Sequence, residues 1–200
     1  MKPMKAIWLR VRGRPFELLS NNSGLAAVEF AMIIPIMAML LIGTYEMSTG
    51  VAIDRKVTIM TRTLSDLTSQ NAAVTDTQLT NFFSASKAIM TPYSSAEVQG
   101  TITELWIDPS TLKARVQWSK GTELHNKGDI IEVPQALKIA GTYLIFSEVK
   151  YVYKPSVAWF INKETGITLS DISYTRPRQS LCVVYPAPAP GATMPPCPKE

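Results

Sequence analysis

Glu29 is the single charged residue between Leu25 and Tyr45, in a run otherwise made almost wholly of apolar and small side chains. At 1.5 Å of rise per residue, a helix of about 21 residues spans roughly 30 Å, the thickness of a bilayer's hydrocarbon core. An ionised carboxylate at that depth costs several kcal/mol, so it needs a partner. The spacing supplies one. A cut after Gly24 makes Glu29 the fifth residue of the shortened chain and creates an α-amine on Leu25. Glu29 of one copy can then neutralise the amine of a neighbouring copy when such helices lie side by side. Gly24 suits the cut because a side chain there would crowd a processing peptidase. The chemistry is one peptide-bond hydrolysis, performed by another protein, followed by an amine–carboxylate pairing between copies.

Catalytic sets of other kinds are not apparent. A Ser-His-Asp arrangement would have to use His125, the one histidine of the chain, set among polar loop residues. It reads as an exposed loop residue without a catalytic task. Cys182 and Cys197 have no His or Cys neighbours at zinc-binding spacing, and no glycine-rich loop leads into a helix as phosphate binding requires. Glu104, Asp108 and Asp129 can be imagined as an acid pair or as calcium ligands, but Asp108-Pro109-Ser110 fits an ordinary turn better. These features point to a structural or assembly protein, not an enzyme, with no cofactor, no metal and no small-molecule substrate.

Charge distribution places the chain. The net charge is +4 over 200 residues. Lys2, Lys5, Arg10, Arg12 and Arg14 against Glu17 carry all of it, so the remainder sums to zero. A neutral remainder argues against nucleic-acid binding, which needs a basic surface. Five cations ahead of the span orient the N-terminus to the cytoplasm and residues after about 46 to the outside. In an oxidising compartment two cysteines suggest one disulfide, Cys182–Cys197, with free thiols as the alternative.

The elements that must position these residues follow from periodicity. Ile53, Val57, Met60, Leu64 and Leu67 recur at helical spacing, so one helix is expected from Leu25 to about Ser69, with Pro35 tolerated inside the span and Gly50 a point of weakness. Asp54, Arg55, Arg62, Ser65 and Asp66 fall between the stripe positions. Thr75-Asp76-Thr77-Gln78 matches a capping box, opening a second helix that Thr91-Pro92 ends. Leu79, Phe82, Phe83 and Ile89 face one side of it. The period then changes to two. Val98–Ile107, Leu112–Trp118, Tyr143–Tyr153 and Ile167–Thr175 read as strands, the first two as a hairpin with Leu112, Ala114, Val116 and Trp118 on one face. Tyr143–Tyr153 reads as central, with both faces partly covered. Residues 119–129 read as a polar loop, Pro134–Ala140 as a short helix and Val157–Ile161 as an apolar patch. The expected class is α+β: a long N-terminal helix, a second short one and an antiparallel sheet of about four strands. The organisation expected is a basic leader over residues 1–24, a span over 25–45, the helix extension and second helix over 46–92, a β domain over 93–181 and a Pro-rich tail over 182–200, whose residues 186–198 read as polyproline-like or disordered, tied back to the domain beside Cys182 through Cys197.

The basic leader, Gly24, Glu29 and the apolar helix together form the type IV prepilin pattern. Ala27-Val28-Glu29-Phe30-Ala31 followed by Pro35 and Gly43-Thr44-Tyr45-Glu46 resembles the TadE-like family (TadE, TadF, TadG), pilin-like proteins of the tight-adherence, Flp-type pilus machinery. The strand Glu148–Tyr153, the late strand and Arg176-Pro177-Arg178 are similar to the outer domains of that family, more loosely. The resemblance implies cleavage between Gly24 and Leu25 by a prepilin peptidase, residence in the bacterial inner membrane with a periplasmic C-terminal domain, and a minor pilin or pseudopilin working with other pilins or pilus-assembly proteins. Two other readings use the same residues. A secretory signal would have a shorter apolar region, about 7–15 residues, and a small-x-small site that Gly43-Thr44-Tyr45-Glu46-Met47 does not offer. An uncleaved single-pass protein whose periplasmic α+β domain binds another envelope protein would share the basic flank and the span.

Overall fold

The computed structural model describes residues 24–155 and 166–199. The leader before Gly24 and the Val157–Ile161 patch lie outside them. The fold is α+β, and the chain divides into two compact units, Met1–Met47 and Ser48–Glu200. Helix α1 runs without interruption over Leu25–Ser69, through Pro35 and Gly50, and contributes to both. In the first unit it is the sole described element beyond Gly24.

In the second unit the order is the rest of α1, then α2 (Asp76–Ala88), β1 (Val98–Ile107), β2 (Ala114–Gly121), β3 (Ile130–Ile131), a single 3-10 turn at Gln135–Leu137, β4 (Tyr143–Tyr153) and β5 (Ile167–Thr175). The five strands form one antiparallel sheet in the order β3-β2-β1-β4-β5. The strand beyond the expected four is β3, whose two residues are too few to show a period. The expected short helix over Pro134–Ala140 contracts to the 3-10 turn.

Local chemistry sets the element ends. Thr75 Oγ1 accepts from the Gln78 backbone N–H and Gln78 Oε1 accepts from Thr75 N–H, so the capping box forms in both directions. At the other end of α2, Lys56 of α1 donates to the carbonyls of Ile89 and Thr91, both at 2.8 Å, placing a cation where the helix leaves carbonyls unpaired. Gly121 has φ +146°, and a Cβ there would lie 2.2 Å from Gly100 O, so only glycine closes that end of β2.

The sheet is covered on both faces. Ile53, Val57, Met60 and Leu64 of α1 pack with Leu79 of α2 against Val98, Ile102, Trp118, Ile145 and Val149. Leu67, counted with this stripe by spacing, is only half-buried, whereas Ser65, counted between its positions, is fully buried. Ser65 Oγ accepts from Thr175 Oγ1 at 3.0 Å and lies 3.2 Å from Ser173 Oγ, so hydroxyls take the place of apolar contact where α1 meets β5. On the opposite face Leu105, Ile107, Ala114, Val116, Leu144 and Phe146 gather under Val133. The hairpin corrects one expectation. The register slips between Glu104 and Leu105, pairing Glu104 with Trp118 but Leu105 with Val116. Gln117 is the extra residue of this bulge. It sends Trp118 to the helix side and leaves Ala114 and Val116 on the other, so the parity they share in sequence is not a shared face. Leu112, placed in the strand by alternation, sits instead at φ 54° in the turn.

Candidate functional site

In the first unit the geometry is spare. Among the described residues, no heavy atom other than its chain neighbours lies within 4 Å of where a Cβ of Gly24 would stand. Leu25 begins α1, and Glu29 follows one turn later, exposed like its neighbours. The most apolar window of α1 has a mean hydropathy of 2.5 with none of it buried, which makes it long and apolar enough to cross a membrane as a single-pass anchor. Exposed apolar side chains here include Phe30, Ile36, Leu40 and Leu41. Near the end of the run Thr44 Oγ1 donates to Leu40 O at 2.8 Å, satisfying the hydroxyl within the helix. No such internal bond is seen for Glu29 among the described residues.

The second unit treats a carboxyl in the opposite way. Glu104, on the helix side of β1, has no exposed surface. Its Oε2 accepts from Trp118 Nε1 at 2.9 Å, and its Oε1 accepts from the Val183 backbone N–H at 2.5 Å. Trp118 Nε1 is shared with Val183 O at 2.7 Å. Burial pushes the Glu104 carboxyl up to about 8, against the opposing pull of the Val183 and Trp118 hydrogen bonds. One buried carboxyl thus ties two adjacent strands to the C-terminal segment.

The residues just ahead of the proline-rich stretch are docked onto the second unit, and the disulfide ties that stretch back as expected. Cys182 and Val183 are buried. Val184 pairs in parallel with Ala73, its N–H donating to Ala72 O at 3.0 Å and its carbonyl accepting from Val74 N–H at 2.9 Å. Cys182 and Cys197 are joined by a disulfide with Cα atoms 5.8 Å apart, beside Tyr143, whose hydroxyl donates to Pro198 O at 2.6 Å. Tyr185 stacks tilted on Trp118, ring centroids 5.2 Å apart, and donates to Asp76 Oδ1 at 2.9 Å. Lys120 pairs with the same carboxylate at 2.7 Å, and that pairing holds Asp76 below its usual range.

The remaining residues singled out by type are dispersed. Asp108 accepts from the Ser110 hydroxyl and backbone N–H at 2.6 and 2.8 Å; these bonds keep its carboxyl well below the usual range and make it a turn residue. Asp129 accepts from Asn126 N–H at 2.9 Å within its own loop. Glu104, Asp108 and Asp129 are therefore not brought together, and among the described residues no group of three or more His, Cys, Asp or Glu side chains is placed to hold a metal. His125 is half-buried rather than exposed. Its loop folds back over the sheet, its ring lies 6.1 Å from that of Phe146, and its Nε2 is 3.8 Å from Glu148.

Sequence reasoning missed the part played by Glu104 and Lys56. A faint signal existed for the first, since Glu104 shares its parity in β1 with Val98 and Ile102. None existed for Lys56, whose carbonyl partners lie more than thirty residues away.

No protein-family model matches the chain, and neither a curated protein nor a solved structure matches it.

Proposed function

We propose that this chain is a minor pilin or pseudopilin-like structural protein for assembly of a tight-adherence, Flp-type pilus. In this reading residues 25–45 hold it in the bacterial inner membrane, with the leader in the cytoplasm and the second unit in the periplasm. A prepilin peptidase cuts between Gly24 and Leu25, and Glu29 pairs with the freed amine of an adjacent pilin. The observation that carries the proposal is the lone carboxylate of the exposed, apolar 25–45 stretch of α1, one turn past Gly24. Such a charge is tolerable in lipid only when a cation meets it there. A structural role rather than an enzymatic one accords with how the second unit uses its acids, in a buried bridge at Glu104 and in turns at Asp108 and Asp129.

Mass spectrometry of membrane-extracted protein from cells with an active prepilin peptidase tests this. A chain beginning at Leu25 supports it, and a chain retaining Met1 overturns it. An intact leader would leave an uncleaved single-pass protein whose outer domain binds another envelope protein. Glu29→Ala is expected to be cut normally yet to enter filaments poorly, and normal piliation in that variant would count against the pairing.

A further inference from the structure

The two edges of the sheet are built differently. The β3 edge is two residues long, a blunted edge of the kind that prevents strand addition. The β5 edge is nine residues long, with no Pro, no Lys and an unbroken register against β4. Nothing pairs with its outer side among the described residues. None of its side chains is fully buried, and Ile167 and Ile172 are half or more exposed.

Its one protective device shows which backbone groups face outward. The Ile172 N–H donates to Asp171 Oδ1 at 2.9 Å rather than to β4. Ile172, opposite Glu148, is therefore a non-hydrogen-bonded position of the ladder, and by alternation Thr168, Ser170 and Tyr174 also turn their amides and carbonyls outward. A groove of about 470 Å³ adjoins the C-terminal half of this edge, walled by Ser173 and Thr175 of β5 and by Arg62, Thr63, Asp66 and Leu67 of α1. Asp66 is neutralised by Arg178. Arg62 forms no ion pair among the described residues, so the groove carries one uncompensated cation, while Asp171 stands on the same side of β5.

We propose that the β5 edge and the α1 groove accept an extended segment of another protein as a sixth strand. The occupant carries a basic residue opposite Asp171 and, on the same parity toward Ser173, an acidic residue for Arg62. Main-chain bonds to Ser170 and Ile172 supply the attachment, and the two charges supply register and selectivity. The basic residue draws Asp171 from the Ile172 amide and frees that donor for the incoming carbonyl. A second copy of β5 is a poor occupant when its pairing centres on Asp171, because the two Asp171 side chains would then face each other.

The test uses the full chain in detergent micelles, labelled with ¹⁵N-isoleucine and ¹⁵N-serine. The probe is an octapeptide of alternating Thr and Val with one Lys and one Glu two positions apart. Expected are saturable shifts of the Ile172 and Ser170 amides, absent with a proline-bearing octapeptide. Arg62→Glu should weaken the binding roughly fivefold, and exchanging the Glu of the octapeptide for Lys should recover much of that loss. Ile172→Pro removes one outward donor without touching the β4 ladder and should abolish the shifts. Should that variant unfold, Arg62→Glu on the exposed helix face carries the test. No shift at millimolar octapeptide overturns the proposal. So do Ile172 and Ser170 amides already slow to exchange without the octapeptide, whether the protein is then a monomer covered by its own chain or a dimer joined through β5. Whether the same preparation begins at Leu25 or Met1 bears only on the pilin reading.

Discussion

Glu29 stands exposed on α1 and Glu104 has no exposed surface, so the two units accommodate a carboxyl in contrasting ways. Glu104 is enclosed by its own chain, with a donor on each oxygen, and its burial favours the neutral acid. Glu29 lies on the exposed, apolar stretch of α1, and among the described residues no hydrogen-bond donor meets it. The comparison teaches that a carboxyl's surroundings, not its sequence neighbours, decide whether the fold encloses it. Only Glu104 has a buried donor waiting for each oxygen.

The contrast can be broken or sharpened by substitution. At pH 5, Glu104→Ala should lower the stability of the second unit by about 3 kcal/mol, since it opens a cavity and orphans the Val183 N–H. Glu29→Ala should leave that stability unchanged. Denaturant unfolding followed by tryptophan fluorescence compares them, and equal effects would erase the distinction. Next in size is the disulfide. Replacing Cys182 and Cys197 by Ser releases a loop with a sequence separation of 15, at a cost of about 3 kcal/mol in the chain-entropy model or somewhat less. The Glu104 bridge should persist, so the thermal midpoint should fall without loss of the protected Val183 amide.

A pH series isolates the titration itself. The native Glu104 carboxyl sits at about 8 against an ordinary 4.5, so between those values the folded chain holds a proton that the unfolded chain has released. Stability must then fall as pH rises through that window, by at most about 1.4 kcal/mol per unit, and level off above it. Glu104→Gln should remove this slope, while Glu29→Gln should keep it. The smallest expected effect is at the α2 cap, where Thr75→Ala should cost about 1 kcal/mol without altering either glutamate's behaviour.

Much of this architecture was legible in the residues. Both ends of α1, the Thr75–Gln78 cap and the bounds of β1, β4 and β5 follow from local period and turn chemistry. The spacing of Gly24, Leu25 and Glu29 was equally legible because it lies along the start of one helix. The bulge at Gln117 was not, since an extra residue in a strand shows itself only against its partner's register. The docked C-terminal segment escaped for a related reason. Nothing in Val183 or Val184 themselves shows that Val183 meets the side chains of Glu104 and Trp118, and Val184 the backbone of Ala72 and Val74, all far away in the chain.

What the amino-acid order determined by itself is therefore everything that depends on neighbours within a turn or two: the uninterrupted helix, the apolar run with its one acid, the alternation of the long strands. The tertiary structure alone decided which acid is enclosed, which edge of the sheet stays open and what the last residues are for. The physical reason is range. Periodicity is set by backbone geometry over a few residues, but the fate of a polar group is set by whatever the fold brings to it, and Glu104 meets its donor across 79 positions of chain.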